Sequence, residues 1–152
     1  MSKITVSVSK NVESPAAIVY NILANYNHHR NILPPNAFAG LDIEAGGIGD
    51  GTQLLAHFNV MGIKQQRRLY VTEPEPGAVL AEQDVDTNLI TTFRVQPINK
   101  TKSKVTIETI WQPEPGLKGF IDRLTTPFFM RQIYQNELNM LDKYARKQKG
   151  DE

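Results

Sequence analysis

The chain has 152 residues, the size of one domain with a substantial core. Hydrophobic residues make up 40%, charged residues 22% and the formal net charge is +1, which excludes wholesale disorder and argues against a nucleic-acid partner. No cysteine means no disulfide framework and no thiolate chemistry. MSKITVSVSK has no apolar leader and no run reaches bilayer length, so the expectation is a cytoplasmic protein with no integral membrane segment.

Ile4, Val6 and Val8 alternate with Lys3, Thr5, Ser7 and Ser9, the period-two pattern of a half-buried strand. Ser14-Pro15 reads as an N-cap and first helical residue, with Ile18, Val19, Ile22 and Leu23 as the buried stripe. Asn25-Tyr26-Asn27 interrupts that helix. Asn27 is expected to cap a second short helix through His28, His29 and Arg30, ended by Leu33-Pro34-Pro35. From Ala37 the chain becomes six strands, at 38–44, 52–60, 63–72, 78–84, 88–96 and 104–111, punctuated by Gly- and Pro-rich turns. The glycines from Gly46 to Gly51 lead into a strand and not a helix, which favours a hairpin turn over a phosphate loop.

The closing stretch is helical. Between Pro127 and Ala145 an apolar arc runs through Phe129, Met130, Ile133, Leu138, Leu141 and Tyr144, with Phe128 on the polar side. Leu117, Phe120, Ile121 and Leu124 mark a shorter stripe, out of phase with the later one by roughly 140° if the helix were continuous. Pro127 stands at the join with Thr125 and Thr126 as caps, so a break or sharp kink is expected there. Residues 1–147 are read as a single domain and 148–152 as a disordered tail. The order of elements gives an α+β architecture. It has a curved, seven-stranded antiparallel sheet wrapped around a long C-terminal helix, with two short helices after the first strand.

The order of elements and four local phrases together resemble the START-like (SRPBCC) superfamily, in its polyketide cyclase/dehydrase and lipid-transport branch. The phrases are Val12-Glu-Ser-Pro-Ala16, Gly47-Ile-Gly-Asp-Gly-Thr52, Val71-Thr-Glu-Pro-Glu-Pro-Gly77, and Glu137-Leu138 with Leu141. The resemblance implies a helix-grip fold with a hydrophobic cavity for a lipid, polyketide or similar molecule. It implies no fixed catalytic set.

Inward strand positions supply the candidate lining. Leu54, Ala56 and Phe58 share one face of their strand, Arg67, Leu69 and Val71 another, Thr91 and Phe93 a third, and Thr109 and Trp111 a fourth. Tyr26 and Phe38 bound the expected entrance, and Phe120, Leu124, Tyr134 and Glu137 face the sheet from the helical end. Small residues alternating with large apolar ones suit a filled core or a cavity, and the resemblance favours the cavity. Glu137 lies inside the apolar arc, where it pairs with a base such as Arg67, serves as an acid or ligand handle, or escapes to solvent. His28, His29 and His57 are read as surface groups without a metal, since adjacent histidines on a helix point apart.

Two functions stay open. One is binding or transport of a small hydrophobic ligand, by a monomer or weak dimer without a cofactor. The other is a cyclase/dehydratase-like enzyme in the same cavity, for which Glu137 and Arg67 are the catalytic candidates. A protein-interaction module using the helix surface is a weaker third.

Overall fold

The computed structural model describes residues 3–60, 62–113 and 117–150, the side chains of 117–125, 149 and 150 lying outside the described set. Strand β1 (Ile4–Val12) is followed by helices α1 (Ala16–Ala24) and α2 (Tyr26–His29) and a 3₁₀ turn, Arg30–Ile32. Then come β2 (Phe38–Ala45), β3 (Gln53–Val60), β4 (Ile63–Glu75), β5 (Val79–Asp84), β6 (Ile90–Pro97) and β7 (Ser103–Trp111), and helix α3 (Leu117–Gly150) closes the chain.

The strands form one antiparallel, seven-stranded sheet in the order β1-β7-β6-β5-β4-β3-β2. Consecutive strands from β2 to β7 pair as hairpin neighbours, while β1 adds beside β7, Val6 opposite Thr109. Register shifts between Phe38 and Gly40, between Ile43 and Ala45 and between Thr72 and Glu75 mark bulges, which bend and twist a sheet. The expected α+β architecture, a curved sheet with a long terminal helix, is the observed one.

The core lies between the sheet and the helices. Val6, Leu54, Val71, Leu80, Phe93, Val95, Val105 and Ile107 come from the strands, Val19, Ile22 and Leu23 from α1, and Leu138, Leu141 and Ala145 from α3. Fully burying one such side chain is worth ~1.5–3 kcal/mol. Helix α3 also locks onto the chain just after β1: Asp142 Oδ1 accepts the Glu13 N–H at 3.0 Å, while Arg146 grips the same carboxylate at 2.7 Å.

Four local expectations are corrected. Helix α3 runs through Pro127 without a break. Proline deletes one backbone hydrogen bond, and each further helical residue adds one, so a helix of 34 residues tolerates the loss. The same helix includes Gln148, Lys149 and Gly150, three residues of the expected tail, where Arg146 and Lys147 complement the dipole. Ser14 does not cap α1, because Pro15 is itself extended (φ −60°, ψ 147°) and stands at the cap position. Asn25, not Asn27, caps α2: its side chain accepts the Asn27 N–H at 3.1 Å.

The Gly46–Gly51 segment is a hairpin turn, and it also fixes α2. Gly47 O accepts the Tyr26 N–H and Ala24 O accepts the Gly49 N–H, both at 2.9 Å, with a bridge between Asn25 and Ile48. Tyr26 and His29 therefore enter the interior from a backbone anchored on both sides.

Candidate functional site

A cross-strand row on the inner face of the sheet forms the floor. Val71 of β4 pairs with Glu82 of β5, Glu82 with Thr91 of β6, and Thr91 with Thr109 of β7. The row is polar in its middle. Thr91 and Thr109 share a hydroxyl hydrogen bond at 2.7 Å, and Thr109 is hydrogen-bonded in turn to the Tyr134 hydroxyl from α3. Burial pushes the Tyr134 phenol up to about 12, against the two threonine hydroxyls, which favour ionisation.

Helix α2 supplies the wall. Tyr26 is fully buried and donates its phenol to Glu82 Oε2 at 2.6 Å. Its ring stacks on His29 at 4.8 Å, and Phe93 meets the His29 ring edge-on at 5.1 Å. His29 Nδ1 lies 2.7 Å from Leu23 O. A carbonyl only accepts, so Nδ1 carries the proton and Nε2 faces inward.

Nε2 points at Glu137 Oε2, 3.7 Å away, a charge-pair distance too long for a hydrogen bond. Glu137 is 2% exposed, and that oxygen has no hydrogen-bond partner. Burial alone would lower the His29 pKa, but Glu137, Glu82 and the Leu23 carbonyl outweigh it and hold the value above the usual imidazole range. Burial raises the Glu82 carboxyl and Glu137 adds to this, while His29 and the Tyr26 phenol oppose it. The Tyr26 phenol is raised well above its ordinary value by burial and by Glu82.

The architecture has close counterparts among solved structures. The Zhui aromatase/cyclase from Streptomyces sp. R1128 matches with a TM-score of 0.82 and 17% identity over 96% of this chain and 95% of that one. A START superfamily protein from Mycobacterium smegmatis matches with a TM-score of 0.63 and 15% identity, over 95% of each chain. The fold is START-like. The KanY protein, 22% identical over 96% of this chain and 99% of that one, has the same fold with a TM-score of 0.82. No protein-family model and no curated protein matches the sequence.

Within the START-like fold the expected site residues divide into groups. Tyr26, Thr91, Phe93, Thr109, Tyr134 and Glu137 meet in the cluster just described. Leu54, Ala56 and Trp111 are buried, and Leu69 is half-buried. Phe38 and Phe58 pair with each other at 4.8 Å on β2 and β3, with three strands between them and β7. Phe120 and Leu124 lie outside the described side chains. Arg67 does not reach Glu137: its Nε sits 3.3 Å from Asp84 Oδ2, a nearer carboxylate on the neighbouring strand.

His29 is the largest correction, being buried at 2% exposure and not a surface group. Its neighbour His28 takes the outward course, to the Tyr144 hydroxyl at 2.7 Å, as adjacent helical positions require. His57 is also outside the cluster, paired with Asp42 at 2.7 Å. Glu82 was absent from the expected lining, although its alternation with Leu80 and Asp84 places it on the inner face. Among the described residues no three His, Cys, Asp or Glu are placed to hold a metal, and no helix is long and apolar enough to cross a membrane.

Proposed function

We propose that this chain binds a small hydrophobic molecule, lipid-like or polyketide-like, between α3 and the concave face of the sheet. The apolar body lies among Leu54, Ala56, Leu69, Phe93 and Trp111, and the polar end meets Glu82 and Glu137. One observation carries this reading. Glu82 is turned inward, bonded to buried Tyr26 and flanked across the sheet by buried Val71 and Thr91, yet it keeps accessible surface. An inward-facing residue that retains such surface between buried neighbours supports an interior open to a ligand, with convergent polar groups on an apolar wall.

The test is a fluorescence titration with N-phenyl-1-naphthylamine, a neutral apolar dye. A saturable one-to-one rise, with energy transfer from Trp111, the one tryptophan of the chain, is expected. A signal that never saturates, or that persists equally in urea-unfolded protein, overturns the reading.

A second reading, a cyclase/dehydratase-like enzyme, draws support from the His29–Glu137 geometry. With Nδ1 committed to Leu23 O, a neutral His29 would aim a lone pair at a carboxylate oxygen, so His29 favours holding a proton on Nε2. A buried imidazolium beside a carboxylate and an apolar wall suits general acid–base work. Here His29 would protonate the departing hydroxyl of an aldol adduct as its C–O bond breaks, and Glu137 would take the α-carbon proton as the C=C bond forms, so that water leaves and the proton count of the two residues is unchanged. Incubation with a poly-β-ketone surrogate separates the two readings: a product lighter by one water, lost in Glu137→Gln, marks the enzyme. Recovery of unchanged surrogate marks the binding protein.

A further inference from the structure

We propose that the ligand of this site carries a protonated amine, held between the carboxylates of Glu82 and Glu137 against the Tyr26 and Phe93 rings. This rests on the ligand-binding reading above and adds the chemical class of the ligand's polar end.

One buried carboxylate oxygen of the site is orphaned. Glu137 Oε2 is buried without a hydrogen-bond partner, its nearest basic group being His29 Nε2 at 3.7 Å. A buried carboxylate oxygen left unbonded loses its hydration with nothing in return. A donor from an occupant of the site answers this, and the occupant sits where both Glu137 and Glu82 are within reach.

Charge then selects among donors. The carboxylates of Glu82 and Glu137 both act on His29, and among the described residues this single imidazole is the base that answers them. Arg67 is engaged by Asp84 at 3.3 Å. The set therefore holds two acids to one base. A neutral hydroxyl would satisfy Oε2 and leave that excess in place. An anion would meet two carboxylates, with the Tyr26 phenol already donated to Glu82. An ammonium satisfies the free oxygen and balances the charge together, as a charge-assisted hydrogen bond.

The aromatic groups give a second, independent line. Tyr26 stacks on His29 at 4.8 Å, Phe93 meets the same imidazole edge-on at 5.1 Å, and Tyr26 is completely buried. The negative faces of Tyr and Phe rings attract a cation, more strongly when it is desolvated. Carboxylates with aromatic faces beside an apolar wall form a receptor for an amine on a hydrophobic body.

The test compares n-octylamine with 1-octanol, matched in length and apolar area, as competitors of bound N-phenyl-1-naphthylamine at pH 7. Wild-type protein is expected to release the dye at an octylamine concentration about tenfold or more below that of octanol. In Glu137→Gln the amine-over-alcohol ratio is expected to collapse toward one, and Glu82→Gln, on a different element, serves the same purpose if the first variant fails to fold. Octanol equal to or better than octylamine on wild-type protein overturns the amine assignment and leaves ligand binding standing. So does dye that binds but is displaced by neither competitor. Dye that does not bind removes the reading on which the assignment rests.

Discussion

Tyr26 donates its phenol to Glu82 at 2.6 Å, tying the short second helix to the middle of the sheet. That bond joins the two sides of the candidate site, since Tyr26 also carries the His29 ring on its face. Tyr26→Phe keeps the stack and removes the donor. A hydrogen bond to a charged group is worth ~1.5–3 kcal/mol, so a loss of about 2 kcal/mol in urea denaturation is expected. In a double-mutant cycle with Glu82→Gln the second change should cost much less in the Tyr26→Phe background. Strict additivity would mean that the bond contributes nothing.

Stability should fall as pH rises across the histidine range. The folded state holds the His29 proton more tightly than an unfolded chain does, because Glu137 and Glu82 outweigh burial. That contribution is complete below the unfolded value of about 6.5 and is lost as pH climbs through the folded value. Glu82, raised by burial, acts in the same direction from the carboxylate range upward. Denaturation midpoints at pH 6 and pH 8.5 should favour pH 6, and the difference should shrink in His29→Gln. An undiminished difference in that variant would assign the dependence to other groups.

The threonine–tyrosine chain beneath α3 is a structural relay. Tyr134→Phe leaves Thr109, itself fully buried, short of a partner and is expected to cost about 1–2 kcal/mol. Adding Thr109→Val to Tyr134→Phe should cost less than Thr109→Val alone, because the stranded hydroxyl is removed with it. Thermal unfolding of the four proteins in the cycle measures this.

Gly49 is the sensitive point of the hairpin that anchors α2. It adopts φ +62°, and a Cβ there would lie 2.2 Å from Glu73 Oε1. That carboxylate also accepts the Tyr20 phenol at 2.6 Å and the Asp50 N–H at 2.9 Å, so moving it disturbs both. Gly49→Ala should destabilise by roughly 1–3 kcal/mol. Gly62, with φ +83° and open space around it, should lose less when changed to alanine, and the comparison isolates the packing clash from backbone strain.

The sheet was legible because half-buried strands write their alternation into sequence: Ile4, Val6 and Val8 of β1 and Thr109 and Trp111 of β7 read directly. Glu137 was legible for the same reason, as one charge inside an apolar arc. Its partner was not. His29 is satisfied by a backbone carbonyl and two ring contacts, which leave no mark on residue type. Glu82 was hidden because Val79, Leu80 and Ala81 are buried in succession, which erases the alternation just before it. The unbroken backbone at Pro127 was not legible, because side-chain stripes mark which face is buried, while backbone hydrogen bonds on both sides decide whether a helix continues.

The central claim is that a hydrophobic ligand enters between α3 and the inner face of the sheet. Two-dimensional NMR of uniformly labelled protein titrated with N-phenyl-1-naphthylamine tests it most directly. The account predicts saturable shifts concentrated at Tyr26, Phe93, Thr109, Trp111 and Glu137. Shifts confined to exposed apolar residues such as Ile63, Ile98 and Phe128, with these interior positions unmoved at saturation, would contradict it.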